Sequence, residues 1–298
     1  MVDLEPIDVV MCTWNSNKFY FRKCLLSIKK EVDVHHFIVI DRNSSDGTLE
    51  VVRSVFPNAE IFQTDANMAC ARRIGITHID TRYFALIESD IEVYEGWFRK
   101  AILLIKSDQQ IGAVQGFTRY YPSYMDKPRA FELGRRKEPV REITERGFAH
   151  DVVLTTELVR DFNPPPAVHS WGDYLMTQHI IRKGYKWLET SEAQAMHYVF
   201  VNGDYFSDLR KNILKGKWNG AGDRLVNPHS SSTSRAIVRL VLGLFTTTLA
   251  FLRVSIAVLD PRISLLNFLG YTGYLNGFLS PNENNVPYNL HTPTPVIH

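Results

Sequence analysis

The 298-residue chain lacks a large excess of charge of either sign. It has 34 lysines and arginines against 32 aspartates and glutamates, a formal net charge of +2. A protein that follows nucleic-acid phosphates needs a concentrated basic face. We therefore predict that nucleic acid is not a partner.

Cysteine is scarce, and an apolar stretch at the N-terminus is lacking. Cys12, Cys24 and Cys70 are odd in number and lie in segments with strand or helix patterns. This disfavours a disulfide framework and indicates a reduced, cytosol-facing compartment. Because Asp3 and Glu5 interrupt the first residues, we expect no signal peptide.

Short β-branched runs alternate with amphipathic segments of helical length from residue 7 onward. IDVVMCT, HFIVID and YFALIE are typical of strands, and FYFRKCLLSIKK and TLEVVRSVF lie between them as helices. This rhythm predicts an α/β domain over residues 1–204, Rossmann-like, with a mostly parallel sheet flanked by helices. Ligands of such sheets bind at the carboxyl ends of the strands.

The periodicity fades between residues 119 and 146, a stretch rich in charged and aromatic side chains. We interpret it as a partly ordered insertion over the site. Regularity returns with a helix from about Asp173 that Gly184 closes. In YFSDLRKNILKGKW, apolar residues such as Leu209 fall on one side and lysines on the other, a pattern that suits a membrane surface. Residues 205–234 are therefore predicted to form an amphipathic interface helix and a linker.

The last part of the chain, residues 235–298, is more apolar. Leu240–Leu259 contains a single charge and is long enough to cross about 30 Å of hydrocarbon. Ile263–Leu279 adds a second apolar segment, in which Gly273 and Gly277 have a spacing that lets helices pack closely. We therefore predict a C-terminal transmembrane helical hairpin and tail. A buried soluble hairpin and a hairpin embedded in one leaflet are the alternatives.

The charges that precede the first apolar segment predict its orientation. Arg235 and Arg239 lie directly before it. Basic residues tend to stay on the cytoplasmic side of a membrane span. The preceding domain is therefore expected on the cytoplasmic face.

Two polar loops follow strands and are candidates for chemistry. Asp41 begins the loop DRNSSDGT, which is either an ordinary polar turn before a helix or a site for a nucleotide base or ribose.

The second loop is acidic: Glu88, Asp90 and Glu92 follow the apolar run YFALI. Carboxylates gathered where a buried strand emerges need compensation, which Mg²⁺ or Mn²⁺ supplies together with substrate phosphates. An exposed turn capping the next helix is the alternative, and Asp90 is the preferred ligand.

Five segments in order resemble the family-2 glycosyltransferases of the GT-A fold over residues 7–200. They are MCTWNSN, VIDRNSSDGT, ANMACARRIGI, ALIESDIEV and WGDYLMTQHIIRKGYKW. The family's Asp-Asp-Gly-Ser appears as Asp41-Arg42-Asn43-Ser44, which implies base contact by Asp41. Its Asp-x-Asp metal motif appears as Glu88-Ser89-Asp90, which implies that Asp90 binds the metal, with Glu92 assisting.

The resemblance implies further roles. Arg72 is expected at the donor diphosphate, and Asp173 as general base, although Gly172 replaces the glutamate that usually precedes it. His197 is either a metal ligand or a structural strand histidine. Lys217 and Trp218 look like a degraded Gln-x-x-Arg-Trp acceptor motif. The other residues expected to contact the nucleotide sugar are Thr13, Asn15, Glu88 and Ser89.

By this resemblance the function is inverting transfer of a sugar from a nucleotide diphosphate to a lipid-linked acceptor. The acceptor would be polyprenyl or dolichyl phosphate or a lipid-linked glycan, with GDP-mannose the favoured donor and UDP-glucose the second. A sugar-nucleotide nucleotidyltransferase would open with a Gly-rich phosphate loop, which CTWNSN is not. A catalytically inactive nucleotide-sugar- or glycan-binding membrane scaffold is the alternative, since Arg42, Glu88 and Gly172 depart from the family pattern.

Overall fold

A ten-stranded sheet is the central feature of the described residues, which are 4–166, 168, 171–199, 205–226, 261–279 and 296–297 of a computed structural model. The strands are β1 (Ile7–Thr13), β2 (Val34–Asp41), β3 (Glu60–Gln63), β4 (Tyr83–Ile87), β5 (Ile91–Val93), β6 (Ile111–Tyr121), β7 (Val140–Ile143), β8 (Asp151–Thr155), β9 (Lys186–Tyr198) and β10 (Val296–Ile297). The helices are α1 (Phe21–Glu31), α2 (Thr48–Val55), α3 (Met68–Thr77), α4 (Trp97–Ser107), α5 (Ser123–Arg135), α6 (Thr156–Val159), α7 (Gly172–Arg182), α8 (Tyr205–Val226) and α9 (Pro261–Leu279).

The sheet is mixed, which corrects the prediction of a mostly parallel one. Its order is β10-β3-β2-β1-β4-β8-β6-β9-β5, with β7 also paired to β9. β1, β2, β3 and β4 are mutually parallel, but β8 is antiparallel to both β4 and β6, and β5 and β7 are antiparallel to β9. The parallel prediction came from the βαβ rhythm, which ends at β6. An apolar run such as DVVLT does not encode the direction of its strand.

Helices cover both faces of the sheet, so its central strands are apolar on both sides. Successive residues of a strand point to opposite faces. Val9 and Met11 therefore pack in the cluster that includes residues of α1, α2 and α4, whereas Val10 and Cys12 pack with residues of α3 and α7. This burial explains why the strands are near-continuous apolar runs.

The segment 119–146, predicted to be partly ordered, contains α5 and β7. This segment is held on the sheet by the carboxylate of Glu189, a fully buried residue of β9. Arg136 and Arg141 donate to its two oxygens at 2.8 and 2.9 Å, and Gln115 donates at 3.1 Å. These charge-assisted contacts hold the segment on the sheet.

The α8 and α9 helices pack closely against each other and against α5. A Cβ added at Gly273 or Gly277 would overlap the backbone of α8, so these glycines set the distance of approach. Leu209 of α8 and Leu266 of α9 form a small buried cluster with Tyr124 of α5. The glycine spacing thus serves helix packing as expected, and among the described residues the partner helix is α8.

None of the described helices is long and apolar enough to cross a membrane. The first predicted span, Leu240–Leu259, lies outside the described residues, and the second, Ile263–Leu279, lies within α9.

Gly75 lets α3 approach β1, and this contact gives a testable prediction. A Cβ at Gly75 would overlap Val10 and lie 3.4 Å from Ile40, whereas one at Gly134, in α5, would meet nothing within 4 Å. Both Gly→Ala changes improve helix propensity by up to about 1 kcal/mol, but only Gly75→Ala overpacks the core, at a cost of about 1–3 kcal/mol.

We therefore expect Gly75→Ala to have a lower free energy of unfolding than Gly134→Ala, by about 1–3 kcal/mol in denaturant titrations. Equal stabilities of the two variants would show that α3 does not pack on β1 as described.

Candidate active site

The carboxyl ends of β1 and β2 form a hydrogen-bonded loop pair around Asp41. This aspartate is fully buried, and its carboxylate accepts hydrogen bonds from Thr13 Oγ1 at 2.7 Å and from the backbone and hydroxyl of Ser44 at 2.8 and 2.6 Å. Gln63 adds a longer contact at 3.4 Å. The carboxylate therefore fixes the shape of the loop that follows β2.

The loop after β1 is joined to the loop after β2 through Asn15. Its N–H donates to Ser44 Oγ at 2.8 Å, and its side-chain oxygen accepts from the N–H of Ser45 at 2.9 Å. Asn15 has a positive φ of 46°, a conformation that asparagine tolerates better than most residues.

An exposed aromatic surface lies beside this junction. The guanidinium of Arg42 lies 4.8 Å from the ring of Trp14, which is 54% exposed. The sequence reasoning did not single out this aromatic surface.

Glu88, Asp90 and His197 form a group that could hold a metal ion. One ligand atom of each lies within 4.8 Å of the others, and His197 Nε2 is 3.1 Å from Asp90 Oδ2. The other oxygen of Asp90 is buried and has no hydrogen-bond partner. Two carboxylates and an imidazole are ligands that a divalent cation such as Mn²⁺ or Mg²⁺ accepts. The buried, unpaired oxygen of Asp90 gives such a cation a further reason to bind here.

The ionisation of Asp90 also suits a cation. Burial alone would raise the pKa of this carboxyl, but the charge of His197 and its hydrogen bond outweigh burial and hold the pKa below 3.8. Asp90 is thus ionised at neutral pH. Ser89, between the two acids, contacts Ser16 through their hydroxyls at 2.9 Å, which ties this turn to the loop after β1.

Glu92 lies apart from this group. Its carboxylate accepts a hydrogen bond from Tyr198 at 2.7 Å and pairs with Lys23 at 2.9 Å. Burial, followed by the bond to Glu92, raises the pKa of Tyr198 to about 12. The structure therefore places Glu92 in a separate network with Tyr198 and Lys23, and its assistance to the metal stays a prediction.

Arg72 connects the acidic group to Asp173. Its guanidinium, on α3, is buried and pairs with Glu88 through Nη2 and with Asp173 Oδ1 at 2.5 Å through Nη1. Burial alone would raise the pKa of Asp173, but Arg72 and then Arg146, whose Nη2 is 3.7 Å from Asp173 Oδ2, hold it below 3.8. Burial would likewise lower the pKa of Arg72, and the two carboxylates raise it instead.

His150 is a buried group at this site that the sequence reasoning missed. Its Nδ1 lies 2.7 Å from Asp151 Oδ1, and its ring centroid is 5.0 Å from that of His197. Burial alone would lower the pKa of His150, but Asp151 outweighs burial and raises it above 6.5. The residue precedes β8, and its place at the site depends on the antiparallel direction of that strand.

Trp171 joins the site to the helical pair. Its indole N–H donates to the backbone oxygen of Asn219 at 2.8 Å, and the guanidinium of Arg146 lies 5.5 Å from its ring. Lys217 and Trp218 are half-buried on the same helix, α8. Glu88 and Asp173 pair with arginines, and Asp90 pairs with His197.

Comparison with solved structures shows which class of protein has this fold. A mannosyltransferase from Pyrobaculum calidifontis in complex with GDP-Man and Mn²⁺ has a TM-score of 0.60 at 15% identity, covering 94% of this chain and 90% of that one. TarS 1-349 of S. aureus in complex with UDP has a TM-score of 0.53 at 16% identity, covering 94% and 92%. GalNAc-T7 with UDP, GalNAc and Mn²⁺ has a TM-score of 0.54 at 14% identity. The fold is that of the GT-A glycosyltransferases.

The sequence itself identifies the family. The profile of glycosyl transferase family 2 matches residues 8–159, and the chain belongs to that family of glycosyltransferases. No curated protein matches the sequence. The match to GalNAc-T7 covers 70% of this chain and only 51% of that longer one.

Replacing Arg72 should destabilise the protein, because two carboxylates would lose their shared partner. Removing one partner of a buried ion pair typically costs about 3–5 kcal/mol. We expect a loss of that size for Arg72→Met at pH 7 in denaturant titrations, and a change within about 0.5 kcal/mol for Arg73→Met, since Arg73 is exposed. Similar losses for both variants would contradict the described network.

The cost of Arg72→Met should also depend on pH. A carboxyl whose pKa is depressed in the folded state contributes stability above its unfolded pKa, and that contribution is lost as the pH falls through the folded value. Because Arg72 holds the pKa of Asp173 below 3.8 and burial alone would raise it, Asp173 should take up a proton at a higher pH in Arg72→Met than in the unmodified protein. The difference in free energy of unfolding between the two, measured by denaturant titration at several pH values, should therefore shrink as the pH falls.

Proposed function

We propose that the protein is a metal-dependent, inverting glycosyltransferase that moves a hexose from a nucleotide diphosphate to a lipid-linked acceptor. The observation that carries this proposal is the group of Glu88, Asp90 and His197, joined through Arg72 to Asp173. GDP-mannose is the favoured donor and UDP-glucose the second. The long match to a mannosyltransferase in complex with GDP-Man and Mn²⁺ supports this order.

The donor would bind across the carboxyl ends of β1, β2 and β4. Thr13, Asn15 and Asp41 build the loops on which the nucleotide would lie, and Trp14 offers an exposed ring beside them. Ser89 connects these loops to the acidic group. The diphosphate would then lie next to Glu88, Asp90 and His197, which would hold Mn²⁺ or Mg²⁺.

Each charged side chain has a distinct task in the transfer. A divalent cation in this group supplies Lewis-acid neutralisation of the charge that develops on the leaving diphosphate. Arg72 adds positive charge to the same region. Asp173 would accept the proton of the attacking acceptor hydroxyl. A single base opposite the leaving group gives direct displacement with inversion.

The α5–β7 segment would cover the donor and exclude water.

The surface of α8 supports a lipid-linked acceptor. Phe206 and Leu214 are 73% and 47% exposed, and Lys211 and Lys215 are exposed on the same helix. Apolar and basic side chains together favour an anionic membrane surface. We propose that this helix holds the domain at the cytoplasmic face of a membrane, with polyprenyl phosphate or a lipid-linked glycan as acceptor.

The first experiment is incubation of the purified protein with radiolabelled GDP-mannose or UDP-glucose, Mn²⁺ and polyprenyl phosphate in detergent. Label that moves into the organic phase with one donor, and not after chelation of the metal, is the expected result. Metal-dependent nucleotide binding without transfer to polyprenyl phosphate or to a panel of lipid-linked glycans would instead favour the inactive scaffold.

Asp90→Ala should abolish Mn²⁺-dependent nucleotide binding in calorimetric titrations, because it removes a buried ligand oxygen. Glu92→Gln is the matched control: it neutralises a nearby carboxylate already held by Lys23 and Tyr198, so binding should persist. Loss of binding in Glu92→Gln alone would show that Glu92, and not Asp90, is the ligand.

Asp173→Asn should separate binding from turnover. The amide keeps the size of the side chain but cannot accept a proton, so the rate of transfer to a hydroxyl acceptor should fall by about 10²–10⁴-fold. Affinity for the metal and nucleotide should change little. Unchanged turnover would exclude Asp173 as the base.

A further inference from the structure

The pairing of β1 with β2 is irregular at the end of the sheet opposite the candidate active site. The register shifts by one residue between Ile7 and Val9, so that Asp8 alone faces both His35 and His36. Adjacent residues of a regular strand point to opposite faces, and an extra residue in one strand breaks this alternation. The two imidazole rings consequently lie side by side, with centroids 4.0 Å apart.

Asp8 is a buried and rigidly held carboxylate. Its Oδ2 accepts the N–H groups of Asp80 at 2.7 Å and Thr81 at 3.1 Å, and its Oδ1 accepts the N–H of His36 at 3.1 Å. A carboxylate has about four acceptor positions, so one remains on Oδ1. The backbone contacts explain why Asp8 is buried but do not use the two imidazoles.

The remaining position of Asp8 faces an imidazole nitrogen. His36 Nδ1 lies 3.2 Å from Asp8 Oδ1. Two ligands bound at 2.0–2.1 Å to one tetrahedral ion are about 3.3 Å apart, which is close to this distance. A ligand atom of His35 also lies within 4.8 Å of the other two. His35 is exposed, so its side chain can turn toward the same point.

We propose that Asp8, His35 and His36 form a second metal site, which takes a late first-row divalent cation, with Zn²⁺ the first candidate. Imidazole and carboxylate ligands suit Zn²⁺, and three protein ligands leave a position open to water. The ion balances the buried charge of Asp8 and links β1 to β2 where their ladder is irregular. This site is separate from sugar transfer.

The test is zinc titration by calorimetry in the Asp90→Ala background, in which the candidate active-site group has lost a ligand. One equivalent of Zn²⁺ should bind, and adding His36→Gln should remove it. His179→Gln is the matched control, because His179 also lies 3.1 Å from a carboxylate, that of Asp161, but its neighbours in the sequence are Gln178 and Ile180 and not a second histidine. Its zinc stoichiometry should not change.

A second variant and a second readout guard against misfolding of His36→Gln. His35→Gln alters an exposed side chain and should weaken zinc binding at least tenfold, while the melting temperature without zinc stays the same. Zinc should raise the melting temperature of Asp90→Ala but not of Asp90→Ala carrying His35→Gln. If Asp90→Ala binds no zinc, or if both histidine variants bind it normally, Asp8 and His36 form only a charge pair and the proposal is wrong.

Discussion

The candidate site depends on one buried guanidinium. Arg72 pairs with Glu88 at the end of β4 and with Asp173 at the start of α7, so it sets the position of the metal-binding group relative to the candidate base. Without it, two carboxylates would face each other with little solvent to screen them, and desolvating each charge costs several kcal/mol. Its own position depends on α3, which approaches the sheet because Gly75 has no side chain.

Around Arg72, each carboxylate lies beside an arginine or a histidine, and this alternation of acidic and basic side chains suits the proposed substrate. Asp90 lies beside His197, and Asp173 lies between Arg72 and Arg146. A nucleotide diphosphate and a divalent cation have nearly opposite charges, so their joint arrival changes the net charge of the site little. A buried site can accommodate such a pair at a smaller electrostatic cost than either partner alone.

The helical pair packs against the α/β domain and contacts its candidate site. Leu209 of α8 packs on Tyr124, and Asn219 of the same helix receives the indole N–H of Trp171, next to the start of α7. Through these two contacts α8 connects the exposed side chains proposed to face a membrane with the carboxylate proposed to activate the acceptor. With the proposed function, a lipid-linked acceptor would approach along this helix.

The sequence by itself determined the strands and helices from β1 to α4, apart from the short strand β5, and the polar residues that follow β1, β2 and β4. Alternating elements predict parallel strands, and parallel strands end at one edge, so Thr13, Asp41 and Glu88 had to lie near one another. Only the tertiary structure decided which residues of the later strands reach the candidate site. His197 reaches Asp90 because β5 pairs with β9, about a hundred residues away, and His150 reaches His197 because β8 runs antiparallel. Side-chain periodicity encodes the burial of a strand but not its neighbours or direction, so these contacts could not be predicted from the sequence.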